Sequence, residues 1–237
     1  MPRVIVLGCG TGVGKTRVSS ALLRELRAEG LACIGLKPIE TGIEPISGLA
    51  GPGSDAHLLA ASGSLAAAAP HPLYALAEPI SPHLAARRTG TQIQVSAARQ
   101  WLENVESAVT PHVAPHRAIW RVIETAGGVF SPLASDATNF DLATALDPAI
   151  WVLVASDSLG VLHDLTATLV AMRAGGRTPD HVVLSAAREP DASTGSNAAE
   201  LRLLGITSPT AVLGRHQDAG IRDLVRSLLA TPHESAF

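Results

Sequence analysis

The segment Gly8-Cys9-Gly10-Thr11-Gly12-Val13-Gly14-Lys15-Thr16 constrains this chain more than any other. It follows an apolar run, Val4-Ile5-Val6-Leu7, and opens a stretch with helical periodicity. Strand, glycine loop and helix in that order form a phosphate cradle. Small residues let backbone N–H groups converge on an anion, and a helix N-terminus adds favourable polarity. Lys15 is placed to meet the β/γ-phosphates of a nucleoside triphosphate, and the Thr16 hydroxyl to ligate Mg²⁺. The loop is one residue longer than the common pattern: Cys9 stands where that pattern has its first glycine, and Gly8 supplies it one position earlier. An accidental Lys-Thr in a glycine-rich turn would not also bring a strand before it and a helix after it.

Apolar strands alternate with helical stretches along the rest of the chain. The pattern predicts an α/β fold of the P-loop NTPase type: a mostly parallel sheet flanked by helices, built as a single domain over residues 1–237. Strands are expected at 4–7, 32–37, 118–124, 150–155, 181–184 and 210–213. Helices are expected at 15–29, 55–61, 95–109, 140–146, 160–174, 196–204 and 220–229. The glycine- and proline-rich stretches 42–54 and 70–90 read as loops that cover the site.

Composition excludes several classes. A net charge of −3 without a long basic run gives no surface for nucleic acid, and no apolar run reaches membrane-spanning length. Strand residues begin almost at once, without a charged leader, so a reducing cytoplasm is the expected setting. Cys9 and Cys33 have no metal-ligand spacing; Cys9 reads as a small loop filler or as a reactive thiol. Trp101, Trp120 and Trp151 read as packing residues, and Arg87-Arg88 as a solvated helix end.

In a parallel sheet, ligands bind beyond the carboxyl ends of the strands. Lys37 closes the second strand, and its ammonium should enter the cleft that holds Lys15. Two cations there suit a substrate with several negative charges. Glu124 ends a buried-looking strand, a usual place for a Mg²⁺-ordering carboxylate. Asp55 reads equally as a metal carboxylate or as part of an ordinary Ser54-Asp55 helix cap. The turn Ala77-Glu78-Pro79-Ile80-Ser81-Pro82-His83 reads as a rigid surface loop, with no base assigned to His83.

Taken together these segments resemble the dethiobiotin synthetase family. The resemblance rests on the long G-x5-G-K-T loop, Lys37-Pro38 with Thr41-Gly42, Ser54-Asp55-Ala56, and Ala77-Glu78-Pro79-x-Ser81-Pro82-His83. It continues through Glu124-x-Ala126-Gly127-Gly128, Phe130-Ser131-Pro132-Leu133 and Leu159-Gly160-Val161-Leu162, in family order, from residue 3 to about 175. It implies an ATP- and Mg²⁺-dependent ligase of biotin biosynthesis. The vicinal diamine 7,8-diaminononanoate takes up CO2 (from bicarbonate), ATP phosphorylates the carbamate, and the second amine closes a cyclic urea. The resemblance implies Mg²⁺ at Thr16, Asp55 and Glu124, and catalytic contacts from Lys15, Lys37 and Thr11. Gly12, Val13, Gly14, Lys15, Thr16, Arg17, Asp55, Glu124 and Gly127 would bind nucleotide and metal. Thr41 and the backbone of Gly160, Val161 and Leu162 would hold the diamine, the last three across a homodimer interface. Removing the Lys37 side chain is expected to abolish turnover and leave the fold intact.

The chain departs from the family at three places. Gly10 and Gly12 replace loop residues with side chains. Thr125 replaces the first glycine of E-G-A-G-G, from where a side chain can crowd the metal carboxylate. Where members read adenine with an asparagine and a G-x-[IL]-P stretch, this chain has Ser185-Ala186-Ala187 and Gly214-Arg215-His216-Gln217. Base selection is then either loose or left to backbone groups. Two other readings stay open: a MinD/ParA-like regulatory ATPase, whose early loop lysine is Gly10 here, and a degenerate family member that binds nucleotide without catalysis. A cobyrinate-type amidotransferase would need a further glutaminase domain.

Overall fold

A computed structural model describes residues 2–43, 51–65, 71–114, 117–207, 209–215 and 219–230. Six parallel strands form the main sheet: β1 (Arg3–Gly8), β2 (Ala32–Leu36), β5 (Ile119–Glu124), β6 (Ile150–Asp157), β7 (His181–Ala186) and β8 (Ala211–Leu213). Their spatial order is β2-β5-β1-β6-β7-β8. Helices cover both faces, so both sets of alternating strand side chains are buried, and the strands read as continuous apolar runs. Val4 and Val6 of β1 face a cluster containing Val18, Leu22 and Leu26 of α1 (Lys15–Ala28) and Leu224 of α8 (Ala219–Ala230). Ile5 and Leu7 face the opposite cluster, which holds Leu102 of α4 (Val95–Val109), Leu142 of α5 (Asn139–Ala145), Leu165 of α6 (Val161–Ala174) and Leu201 of α7 (Asn197–Leu203).

All six expected strands are present, and so are the seven expected helices. The reading of 70–90 as a loop is corrected. It contains β4 (Tyr74–Leu76) and α3 (Pro82–Thr89). Pro82 has no amide N–H to lose at the first helical position, so Ser81-Pro82 opens this helix rather than extending a turn. β4 pairs in parallel with β3 (Ile39–Thr41), and this two-stranded sheet stands apart from the main one. Three-residue strands carry too short an alternation to be told from loop. Of the expected loop at 42–54, residues 44–50 lie outside the described residues. Trp120 and Trp151 are buried, as expected of packing residues.

The helix α2 (Asp55–Ser62) packs on β2 at a glycine. A Cβ at Gly35 would lie 2.7 Å from both Leu23 Cδ1 and the Leu59 carbonyl oxygen. Only a residue without a side chain lets α2 come this close, and α2 carries Asp55. Gly35→Ala should therefore destabilise the protein by about 1–3 kcal/mol through overpacking. The measurement is the urea midpoint, which should fall with the slope of the transition unchanged; an unaltered midpoint would show that α2 does not rest on Gly35.

The candidate nucleotide and metal site

The carboxyl ends of β1, β2 and β5 meet at one edge of the sheet. β1 runs into the glycine loop. Gly14, the residue before α1, has φ +95°, a left-handed conformation that suits glycine. A Cβ there would also fall 2.8 Å from the Ser185 Cβ on β7. The backbone N–H groups of Lys15, Thr16 and Arg17 precede the first helical bond, which Val18 donates to Gly14. They are the donors a phosphate needs. The Arg17 side chain is used elsewhere: it donates to the carbonyls of Leu213 (3.4 Å) and Gly214.

Lys37 directly follows β2, and its ammonium projects into this cleft as expected. It donates to Glu124 Oε1 at 2.6 Å and Asp55 Oδ2 at 2.9 Å, with the Thr125 carbonyl at 3.4 Å. The Thr16 hydroxyl lies 2.9 Å from Asp55 Oδ1 and 2.9 Å from Glu124 Oε1. Thus Thr16, Asp55, Glu124 and Lys37 converge from four separate elements. Burial alone would lower the Lys37 pKa, but Glu124 and Asp55 outweigh it and hold it above the ordinary value. Burial likewise opposes ionisation of Asp55, yet Lys37 and Thr16 bring its pKa below the usual carboxylate range. Lys15 bonds the Gly10 carbonyl at 3.2 Å, and burial, then repulsion from Lys37, push its ammonium down to about 8.

The donor set fits a divalent cation. Glu124 is fully buried, and its Oε2 has no hydrogen-bond partner among the described residues. A buried carboxylate oxygen left without a partner is unfavourable. The Thr16 hydroxyl carries one proton, so it can satisfy only one of the two carboxylates beside it. A hydroxyl and two carboxylates are oxygen donors of the kind Mg²⁺ takes, the remaining positions going to water and phosphate oxygens.

The residues around this cluster answer the other expectations. Gly127 approaches Thr11, since a Cβ on it would lie 3.6 Å from Thr11 Oγ1. Thr125 does not crowd Glu124: its hydroxyl donates to the Val6 carbonyl at 3.1 Å, turned toward β1. Thr41 ends β3, half-buried, beside Gly42, which packs against Pro79. Gly160 (φ +98°) precedes α6, with Val161 buried and Leu162 partly buried. Ser185 lies against Gly14, and the Ala187 carbonyl accepts from Arg215 at 3.2 Å. His216 and Gln217 lie outside the described residues.

Two site residues escaped sequence reasoning. Asn139, fully buried, donates from Nδ2 to the carbonyls of Ala126 (2.6 Å) and Gly128 (2.9 Å), and so holds the loop after β5. The only local signal was the Thr138-x-x-Asp141 capping box beside it. Glu40, in β3, accepts from the backbone N–H of Asp55 at 2.6 Å and of Ala56 at 3.0 Å. Nothing in Lys37-Pro38-Ile39-Glu40-Thr41 marked it for that role.

A parallel sheet whose first strand feeds a glycine loop, with lysine, hydroxyl and two carboxylates at its edge, defines a P-loop NTPase. Solved structures agree on the fold. The MinC:MinD cell division complex of Aquifex aeolicus superposes with a TM-score of 0.52 at 10% identity, covering 98% of this chain and 97% of that one. The signal recognition particle receptor FtsY of Elizabethkingia anophelis gives 0.50 at 14% identity, covering 95% and 64%. A family model described as "AAA domain" matches residues 2–217. The ATP-dependent dethiobiotin synthetase of Anaeromyxobacter dehalogenans is 36% identical over 224 residues, 94% of each chain. That of a Caulobacter species is 32% identical, covering 100% of this chain and 98% of the relative. The chain belongs to the dethiobiotin synthetase family of ATP-dependent ligases. Among the described residues, no helix is long and apolar enough to cross a membrane.

Cys9 also has a testable chemistry. Its thiol is pushed up to about 11, chiefly by burial, against an opposing hydrogen bond from Thr168. That favours the loop-filler reading over a reactive thiol. Against 9.0 for a free thiol, its thiolate fraction at pH 8 is about a hundredfold lower. Iodoacetamide at pH 8 should leave Cys9 unmodified while a small free thiol reacts, as read by peptide mass spectrometry. Alkylation at the free-thiol rate would overturn this.

Proposed function

We propose that this chain converts 7,8-diaminononanoate, CO2 and ATP into dethiobiotin, ADP and phosphate. It would act as one synthetase domain over residues 1–237, paired as a homodimer in the cytoplasm. The observation that carries the reading is the Lys37 ammonium, buried in the P-loop cleft between Glu124 and Asp55, both beside the Thr16 hydroxyl. Sequence identity of 32–36% to dethiobiotin synthetases over nearly the whole chain supports the substrate class. The likeness to MinD rests on 10% identity and concerns the fold alone, so the regulatory-ATPase reading gains nothing from it.

The chemistry the reading requires is the joining of two anions. One amine of the diamine adds to CO2 and loses a proton, giving a carbamate. A carbamate oxygen then takes the γ-phosphoryl group as ADP leaves. The second amine attacks the activated carbonyl, phosphate departs, and the cyclic urea is complete. Carbamate and triphosphate repel, and in a site of low dielectric the repulsion is strong. The chain's contribution is cationic and positional. The loop N–H groups and Lys15 would hold the phosphates, and Lys37 and Thr11 would meet the carbamate. Thr41 and the Gly160–Leu162 backbone would hold the diamine. Mg²⁺ held by Thr16, Asp55 and Glu124 would neutralise charge on the triphosphate. Retention of all four polar groups in one cluster argues against a degenerate, non-catalytic member.

The decisive assay supplies purified protein with diamine, bicarbonate, Mg²⁺ and ATP, and omits each in turn. Phosphate release should need all four; release that ignores the diamine would overturn the reading.

The geometry changes one expectation about Lys37. It neutralises a fully buried carboxylate, so its loss has a structural consequence as well as a catalytic one. Removing one partner of a buried ion pair typically costs about 3–5 kcal/mol. Removing a preorganised cation typically lowers turnover by roughly 10²–10³-fold. Lys37→Ala should therefore lose turnover by that factor and melt earlier in EDTA. Mg²⁺ should raise its Tm more than that of the wild type, because a cation would then return to Glu124. Near wild-type turnover would refute the role of Lys37.

A further inference from the structure

Asp55 is the first residue of α2, so its placement depends on how that helix N-terminus is held. The ordinary cap is present but reaches past it: the Ser54 hydroxyl accepts from His57 N–H at 3.2 Å. The two N–H groups closest to the cluster go to Glu40. Its Oε1 takes that of Asp55 and its Oε2 that of Ala56. One carboxylate thus spans two successive backbone donors, which fixes the direction in which α2 starts as well as its position.

The arrangement is unfavourable for Glu40 itself. Only 5% of the residue is exposed, and burial raises its pKa against the pull of those two N–H groups. It also brings a further carboxylate toward Asp55, with Lys37 the cation that offsets it. A serine or asparagine would cap the helix without a buried charge. What the carboxylate adds is rigidity at one residue. Glu40 lies at the middle of β3, paired with Ala75 of β4, so its backbone is fixed by the small sheet. Lys37, three residues earlier, holds Oδ2 of the same aspartate whose amide Glu40 holds.

We infer that Glu40 is a positioning residue: it grips α2 by the amides of Asp55 and Ala56 and thereby fixes the Asp55 carboxylate for the metal–nucleotide complex. The inference rests on the proposed role of Asp55 as a metal ligand. It also assigns a purpose to the two-stranded sheet, which otherwise stands apart from the main one.

The test uses Mn²⁺ as the metal probe, with a saturating non-hydrolysable ATP analogue, and follows unbound Mn²⁺ by its paramagnetic resonance signal. No diamine is needed. Glu40→Ala should weaken Mn²⁺ binding about 10–100-fold, the usual range for loss of a group that orients a metal ligand. Glu40→Gln, which keeps one acceptor, should fall between Glu40→Ala and wild type. Ser54→Ala removes the cap on His57 and should lower Tm while leaving Mn²⁺ affinity within about threefold of wild type. Mn²⁺ affinity within threefold of wild type in both Glu40 variants would overturn the inference, as would losses that follow Tm across all three variants. If Glu40→Ala does not fold, Glu40→Gln against Ser54→Ala carries the comparison. A wild-type protein without a saturable Mn²⁺ site would overturn the metal reading itself. Absence of diamine-dependent phosphate release would overturn the reaction and leave this result standing.

Discussion

The 2.6 Å contact between the Lys37 ammonium and Glu124 is the interaction on which the site's geometry depends. Both side chains are almost wholly removed from water. Neither could be buried alone, because an isolated charge in such a setting loses more solvation than any packing returns. The pair therefore requires that β2 and β5 be neighbours in register, with Leu36 opposite Ile123, so that the residue after each ends at the same edge. That same neighbourhood leaves β1, on the other side of β5, to deliver the glycine loop and Thr16 to the pair. The order of three strands is thus tied to one charge contact.

The cluster is rich in acceptors, and that richness bears on its chemistry. Lys15 and Lys37 both lie near the carboxylates of Glu124 and Asp55, and Glu40 adds a carboxylate near Asp55 and Lys37. Among the described residues one oxygen of Glu124 has no partner, and one hydroxyl proton is asked to serve two acceptors. These deficits are of one sign: each is relieved by a cation placed between the carboxylates. Lys37 relieves part of the demand. Its ammonium is a point charge with three donors and no fixed geometry, so it can turn from the carboxylates to an incoming anion once other positive charge arrives. A site with matched charges and every lone pair satisfied would be more stable and would have less reason to take up a metal nucleotide.

How much of this was legible in the sequence follows from how local each signal is. The glycine loop is a contiguous motif whose backbone does the work, so its role is written in nine residues. The six main strands are buried on both faces and read as apolar runs. Lys37 and Glu124 could be placed because each ends such a run, and residues at strand ends in a parallel sheet share an edge. Asp55 could not be decided from pattern, since Ser54-Asp55 serves equally as a cap. The structure shows Ser54 capping α2 and the Asp55 carboxylate turned to Lys37 and Thr16, a placement that the cap alone does not require. β3, β4 and α3 were missed because three-residue strands carry no periodicity and Ser81-Pro82 reads first as a turn. Asn139 and Glu40 act on backbone amides and carbonyls far away in sequence, and a backbone partner leaves no trace in residue identity.

The same distinction explains why the departures from the family pattern matter less than their positions suggest. Thr125 replaces a glycine next to Glu124, yet its hydroxyl finds the Val6 carbonyl, and the side chain is absorbed between β5 and β1. Gly10 and Gly12 remove side chains from a loop whose binding groups are amides, and the Gly10 carbonyl serves Lys15. Ser185 is packed beneath Gly14, where its size sets how closely β7 approaches the loop. It therefore bears on the shape of the phosphate cradle rather than on the base. At the edge of β7 and β8, Arg17 and Arg215 spend their guanidinium groups on the carbonyls of Leu213, Gly214, Ala187 and Arg188, so the arginines there act on the backbone. Ala187 presents a methyl group and a carbonyl already engaged by Arg215. Both readings of base selection, loose or left to backbone groups, do without a side-chain amide; the carbonyls at this edge already accept from arginine, which leaves less of the backbone free for a base.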